Sequence, residues 1–198
     1  MAQGYLNTLV TPAVAQAQAH YYGHAMATGA APSTDPLGED EHQFISSRDS
    51  FYMATVSENG WPYIQHRGGR RGFLRVVSPT SLAFADYKGN RQMISTGNLS
   101  TTDRVSLFLM DYPQRTRLKI LGHARVLDAR ENPELVEQFA EPADRRLVER
   151  VYRIDVVSFD WNCPKYITPR YTAEDVAEAV APLRARIAEL EAQLKNQN

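Results

Sequence analysis

The residues best suited to chemistry in this chain fall between positions 51 and 99, and what they are suited to is holding an anion. Lys88-Gly89-Asn90-Arg91-Gln92 combines a glycine, two amide side chains and two cations in five consecutive positions. Met93 and Ile94 then open a short predicted helix closed by Gly97, which places Gly89, Asn90 and Arg91 at its N-terminus. Uncapped backbone amides and the positive end of the helix dipole point outward at such a place, and an arginine adds a two-pronged hydrogen bond to phosphate oxygens. A surface turn whose charges are merely solvated has the same pattern, so the residues by themselves leave both readings open. Arg67-Gly68-Gly69-Arg70-Arg71-Gly72 is a second basic, glycine-rich segment, short and isolated, read as a hairpin tip beside the first. His20 and His24 stand four apart, but no glutamate lies between them and no cysteine or histidine cluster is near, so they read as a surface pair and no metal is expected. Cys163 has no recognisable histidine partner and reads as a buried small residue rather than a nucleophile.

Strands must position these groups. Phe51 to Val56 is rich in strand formers, and Ser57-Glu58-Asn59-Gly60 ends in the Asn-Gly pair that a two-residue hairpin turn requires. The returning strand, Trp61 to Arg67, alternates so that Tyr63, Gln65 and Arg67 share one face while Ile64 and His66 share the other. Polar groups on both faces are unusual for a half-buried strand. A third strand is expected from Phe73 to Val77, and a fourth from Ser81 to Ala85 that delivers the chain to Asp86, Tyr87 and the basic turn. Further strands are expected at Arg104–Met110, at Arg117–Leu127 and at Tyr152–Phe159. In the second of these Leu118, Ile120, Gly122, Ala124 and Val126 should face the core, with Lys119, His123 and Arg125 facing away. A helical stretch begins at Asn132-Pro133-Glu134-Leu135, and another patch lies near Leu147. Strands interrupted by short helices, without βαβ alternation, argue for a mainly β barrel with flanking helices.

A strand carrying Gly-Trp-Pro-Tyr-Ile-Gln-His-Arg, followed by Leu-Ala-Phe-Ala-Asp-Tyr-Lys-Gly-Asn-Arg-Gln, resembles the FMN-binding split-barrel family related to pyridoxamine 5'-phosphate oxidase. The likeness runs from about Phe44 to Arg170 and is densest between Tyr52 and Leu99. It implies an FMN at the interface of two barrels in a homodimer. By position, His66 and Arg67 match the second-strand contacts, Asp86 and Tyr87 the strand end, and Asn90, Arg91 and Gln92 a Ser-Arg-Lys phosphate clamp. Gln92 replaces the lysine, and Lys88 or Arg67 is expected to supply the missing charge. Trp161 and Arg170 match an aromatic and an arginine set against the partner subunit's flavin, with core packing the alternative for Trp161. The Arg-x-His pattern of the true oxidases is missing from Lys165-Tyr166-Ile167-Thr168-Pro169-Arg170. The resemblance therefore implies an FMN-dependent oxidoreductase acting on an unidentified small molecule, or a flavin-binding protein without turnover, rather than a vitamin B6 oxidase. Related barrels take the deazaflavin F420 or haem, but Arg91 suits a compact terminal phosphate and no histidine is placed as an axial ligand.

Composition fits this frame. The 198 residues are 43% hydrophobic and 23% charged, enough for one core, and the net charge of −1 offers no reason to expect nucleic acid. No apolar run approaches the roughly 18 residues a membrane span needs. With one cysteine no internal disulfide can form, and the first basic residue is Arg48, so a reducing, cytoplasmic setting is expected. Three zones follow. Residues 1–43 hold an N-terminal helix, with Thr11 at N-cap, Pro12 at N1 and an end near Gly23, then a loop from Thr28 to Glu41. Residues 44–171 form the barrel. Residues 172–198 form an amphipathic helix in which Val176, Val180, Leu183, Ile187, Leu190 and Leu194 make a heptad seam, expected to bend or restart at Pro182. That seam suits either its own barrel or a twofold mate.

Overall fold

The computed structural model of the chain describes residues 3–30, 34–161 and 164–197. Seven strands, β1 (Ser50–Val56), β2 (Pro62–Gly68), β3 (Arg75–Ser78), β4 (Ser81–Tyr87), β5 (Arg104–Asp111), β6 (Thr116–Asp128) and β7 (Val148–Trp161), form one sheet in the order β2-β1-β5-β6-β7-β4-β3. Antiparallel pairing joins β1 to β2 and β5, and β7 to β4 and β6. Although three strands separate β1 from β4 in this order, Phe51 of β1 meets Phe84 of β4 edge-on with ring centroids 5.3 Å apart. The sheet therefore rolls, and its two ends approach without joining in a ladder. That is the mainly β, split-barrel architecture the sequence predicts.

Alternation explains the core. Val105, Leu107 and Leu109 of β5 and Leu118, Ile120 and Ala124 of β6 are buried with Met53, Phe84, Tyr152 and Ile154, while Val126 is half-buried at the rim. On the other face of β6 Lys119 pairs with Asp160 at 2.8 Å, His123 with Asp103 at 2.9 Å and Arg125 with Asp155 at 2.8 Å. The His123 hydrogen bond also holds the Asp103 carboxyl below its ordinary pKa. Strand β4 is buried on both faces. Leu82 and Phe84 point into the barrel, and Ala83 and Ala85 pack under Phe139 of α5 (Pro133–Phe139). Gly122 is a glycine for a spatial reason: a Cβ there would stand 2.7 Å from Ile154 and 2.8 Å from the Asp155 carbonyl, where the β6/β7 register shifts.

Helices close the barrel. α4 (Ile94–Leu99) is tied to β1 by the buried Asn98 side chain, which donates to Thr55 Oγ1 at 2.9 Å. Asn98→Ala should lower the unfolding free energy by about 1–2 kcal/mol, because the Thr55 hydroxyl loses a buried partner. Equilibrium denaturation checks this.

Several expectations change in detail. The β1–β2 connection spans five residues, 57–61, and Gly60 alone has a positive φ, 86°; the two-residue turn gives way to a wider loop held by Ser57 and Trp61. Strand β3 starts at Arg75, because Phe73 and Leu74 are spent on the core as the chain turns. Gly97 lies inside α4 rather than closing it, and Met93 precedes the helix with φ 57°. The N-terminal region holds α2 (Pro12–Tyr22), ending at Gly23 as expected, but also α1 (Gln3–Leu9) and α3 (Glu39–Ser46). α3 takes up residues read as loop and as the start of the strands; the Glu41 carboxylate accepts from the Gly38 amide at 2.8 Å and Ile45 enters the core. The buried Tyr5 anchors α1, with the Lys119 ammonium 4.6 Å from its ring; burial and the Asp160 charge raise its pKa.

The chain divides into two compact units, Met1–Met110 with Arg117–Cys163, and Asp111–Thr116 with Pro164–Asn198. The second contains α6 (Ala173–Gln197), which runs through Pro182 without interruption and is started by Thr172 and Asp175, each side chain accepting from the other's amide. Among the described residues no helix is long and apolar enough to cross a membrane.

Candidate functional site

β2, β4, β7 and the turn after β4 enclose a hollow of about 180 Å³ in the first unit. Alternation on β2 presents Tyr63, Gln65 and Arg67 to it, as the sequence predicts, and turns His66 outward, edge-on to Tyr52. Asp86 ends β4 and pairs in register with Arg150 of β7, so their side chains meet. Arg150 donates through Nε and Nη2 to Asp86 Oδ2 at 2.9 and 2.8 Å. Arg67 donates to Asp86 Oδ1 from the other side and to the Tyr152 hydroxyl at 3.2 Å; Thr96 of α4 stands 2.8 Å from that hydroxyl. A buried Arg–Asp–Arg cluster thus joins both ends of the rolled sheet. Burial on its own lowers the Arg150 pKa, but the Asp86 hydrogen bond and charge outweigh it, and the net shift is upward.

The mouth of the hollow is the turn 89–93. The Asn90 and Gln92 side chains hold each other there, with the Gln92 amide donating to Asn90 Oδ1 at 3.1 Å and Asn90 Nδ2 to Gln92 Oε1 at 3.3 Å. Arg91 and Met93 both adopt left-handed backbone, φ 60° and 57°, a conformation costing on the order of 1–3 kcal/mol for a residue other than glycine. Held between those amides, the Arg91 guanidinium lines the hollow and finds no partner among the described residues. The helix that follows has only six residues, so the anion-binding capacity of this turn rests on side chains and turn amides rather than on a helix dipole.

Three guanidiniums, Arg67, Arg91 and Arg150, face Asp86 in the hollow, and Arg150 also pairs with Glu149 at 3.1 Å on the side of the larger cavity, which leaves an excess of one positive charge. Arg67 Nε is buried without a hydrogen-bond partner. A phosphate monoester, close to −2 at neutral pH, suits the net positive charge of the hollow and the unpartnered Arg91 guanidinium. Arg91, Met93, Thr96 and Arg150 are shared with a larger cavity of about 770 Å³, whose apolar lining comes from Met93, Leu99, Val126, Ala129 and Val148. At its rim Arg130 grips Asp128 at 2.6 Å, which with the Arg130 amide pulls the carboxyl pKa down to about 2.

Of the residues predicted from sequence, the structure brings together Arg67, Asp86, Tyr87, Asn90, Arg91 and Gln92. Burial, reinforced by the Asp144 charge, raises the Tyr87 pKa. His66 sits on the far face of β2. Trp161 does not line the hollow: its Nε1 donates to Glu41 Oε1 at 2.5 Å and its ring meets Phe44 edge-on at 4.8 Å. Arg170 belongs to the second unit, where its guanidinium lies 5.0 Å from the Tyr112 ring. Of the two cations expected to make up for Gln92, Arg67 lines the hollow and Lys88 lies outside the lining, and Arg150 of β7 adds a further guanidinium there. Arg150 and Tyr152 were missed; their i, i+2 spacing, which sets both on one face of β7, was the available signal. Arg70 pairs with Asp144 at 3.2 Å, and the Arg/Gly loop beyond Arg67 stays outside the hollow. Cys163 lies outside the described residues, and no group of three His, Cys, Asp or Glu among those described could hold a metal ion.

No curated protein matches the chain. Among solved structures it is similar to a putative pyridoxamine 5'-phosphate oxidase from Lactobacillus delbrueckii (20% identity, TM-score 0.49, covering 64% of this chain and 95% of that one). It is also similar to HupZ of Group A Streptococcus (12%, 0.48, 68% and 100%) and to an FMN-binding protein from Syntrophomonas wolfei (11%, 0.44, 62% and 83%). The family assignment rests on the sequence. The family model for pyridoxamine 5'-phosphate oxidase matches residues 37–160, which span all seven strands except Trp161 at the end of β7 and include every residue of the hollow, and the chain belongs to that family.

Proposed function

We propose that this chain binds FMN and acts as an FMN-dependent oxidoreductase on a small molecule. The observation that carries the reading is the net positive charge of the hollow with the Arg91 guanidinium unpartnered among the described residues, beside an apolar cavity. Arg91 and Arg150 would hold the phosphate, with the amides of 89–92 and the Asn90 and Gln92 side chains around it. Asp86 would act through the two arginines it orients, and the apolar lining of the larger cavity suits a flat aromatic ring system. Bound FMN supplies hydride and electron transfer from its own ring. The chain's part is to neutralise the phosphate, exclude water from the ring and shape the substrate pocket. Trp161 and Arg170 would contact the partner subunit's flavin in a homodimer, as the resemblance implies, with core packing beside Phe44 and Glu41 the alternative for Trp161. A single cysteine, which leaves no internal disulfide, supports a reducing setting such as the cytoplasm.

Flavin binding without turnover is the second reading, and it is favoured by one observation: among the described residues neither the hollow nor the larger cavity is lined by a histidine, and their carboxylates, Asp86, Asp128 and Glu149, are each paired with an arginine. Anaerobic addition of NADH or NADPH to the flavin-loaded protein separates the two. An oxidoreductase should show saturable bleaching that returns with oxygen through repeated cycles; slow, non-saturable bleaching would leave only the binding reading. Pyridoxamine 5'-phosphate should be a poor substrate, because the Arg-x-His pattern is missing, and efficient release of pyridoxal 5'-phosphate in a coupled assay would contradict that.

A further inference from the structure

We propose that α6 pairs with the α6 of a second copy of this chain as a parallel two-stranded coiled coil. In α6 the seam residues Val176, Leu183, Ile187, Leu190 and Leu194 are all exposed and Val180 is half-exposed, an apolar stripe too regular for a solvated helix face. Numbered as heptads, Val180, Ile187 and Leu194 fall at a, and Val176, Leu183 and Leu190 at d. β-Branched residues at two a positions with leucine at two d positions favour two parallel strands. Pro182 falls at c, on the outer face, so the amide it removes and the bend it imposes stay away from the seam.

Charge selects the direction. In a parallel pair Arg186, at g, lies beside Glu191 of the partner subunit, at e, giving two opposite-charge contacts about the axis, and Arg184 faces an alanine. An antiparallel pair that keeps the seam in register centres near residue 185. It would set Arg184 against its own copy and Arg186 against its own copy, four guanidiniums crowded at the middle. In the single chain Arg186 pairs with Glu189 at 2.5 Å on the exposed surface, so it is free to turn to a partner at little cost. The occupant of this face is thus a second copy of the chain, and the argument does not rest on flavin binding.

Cysteine placement in the full-length protein tests it. In a Cys163→Ser background, Leu190→Cys should give a covalent dimer under mild oxidation with copper phenanthroline, and Ala185→Cys, on the outer face, should give none. Glu191→Arg should weaken the Leu190→Cys dimer band several-fold, and adding Arg186→Glu should restore it. Absence of the band from Leu190→Cys would overturn the proposal. So would a mixed dimer formed only when Val180→Cys and Leu190→Cys proteins are combined, since that marks an antiparallel pair. An unchanged band in Glu191→Arg would overturn the choice of direction by charge.

Discussion

Asp86→Ala should lower the unfolding free energy by about 3–5 kcal/mol, the range for removing one partner of a buried ion pair. The loss follows from position. Asp86 is buried between Arg67 and Arg150, and without it two guanidiniums remain facing each other, with Arg67 buried and Arg91 close by. The cluster is also where strands from the two ends of the sheet order are held together across the split, so its loss should loosen the rolled sheet rather than fray one strand. Asp86→Asn keeps the shape and one acceptor but removes the charge, and should fall between the wild type and Asp86→Ala. Urea denaturation of the three proteins checks this, and a change below about 1 kcal/mol for Asp86→Ala would mean that the arginines are satisfied elsewhere.

Arg91→Ala should weaken FMN binding roughly 10- to 100-fold, because a hydrogen bond to a charged group contributes about 1.5–3 kcal/mol. The fold should survive, since Arg91 is exposed and holds nothing else in place. Arg70→Ala is the matched control. It removes a guanidinium from the other basic segment, where the side chain is 69% exposed and paired only with Asp144, and should leave FMN affinity almost unchanged. Isothermal titration of both variants decides the matter: a larger loss in Arg70→Ala would move the phosphate to the Arg/Gly loop.

What could be read from sequence was set by periodicity and turn chemistry. Alternation on β2 identified the face carrying Tyr63, Gln65 and Arg67, and alternation on β6 identified the core, because a two-residue period survives whatever packs on it. α1 and α3 were not legible. Each is eight residues or fewer and has one or two buried side chains, so tertiary contacts through Tyr5 and Ile45 make them helical; α3 has Gly38 rather than a serine or threonine at its N-cap, and its start signal, the acids Glu39, Asp40 and Glu41, reads equally as loop composition. In the hollow, the residues contributed by one continuous segment, 86–92, were found. Arg150 was not, because its relevance depends on its register opposite Asp86, 64 residues away. Nor could the sequence tell that Arg67 is committed to Asp86 and Tyr152 while Arg91 is free, since that depends on how the sheet rolls.

Titrating the purified protein with FMN and with riboflavin, following flavin fluorescence, tests the central claim most directly. The two ligands differ only in the phosphate that the Arg91 turn and Arg150 are proposed to hold. FMN should bind at least about 10-fold more tightly, the equivalent of one charge-assisted hydrogen bond; equal affinities would contradict the assignment of this hollow to a phosphate.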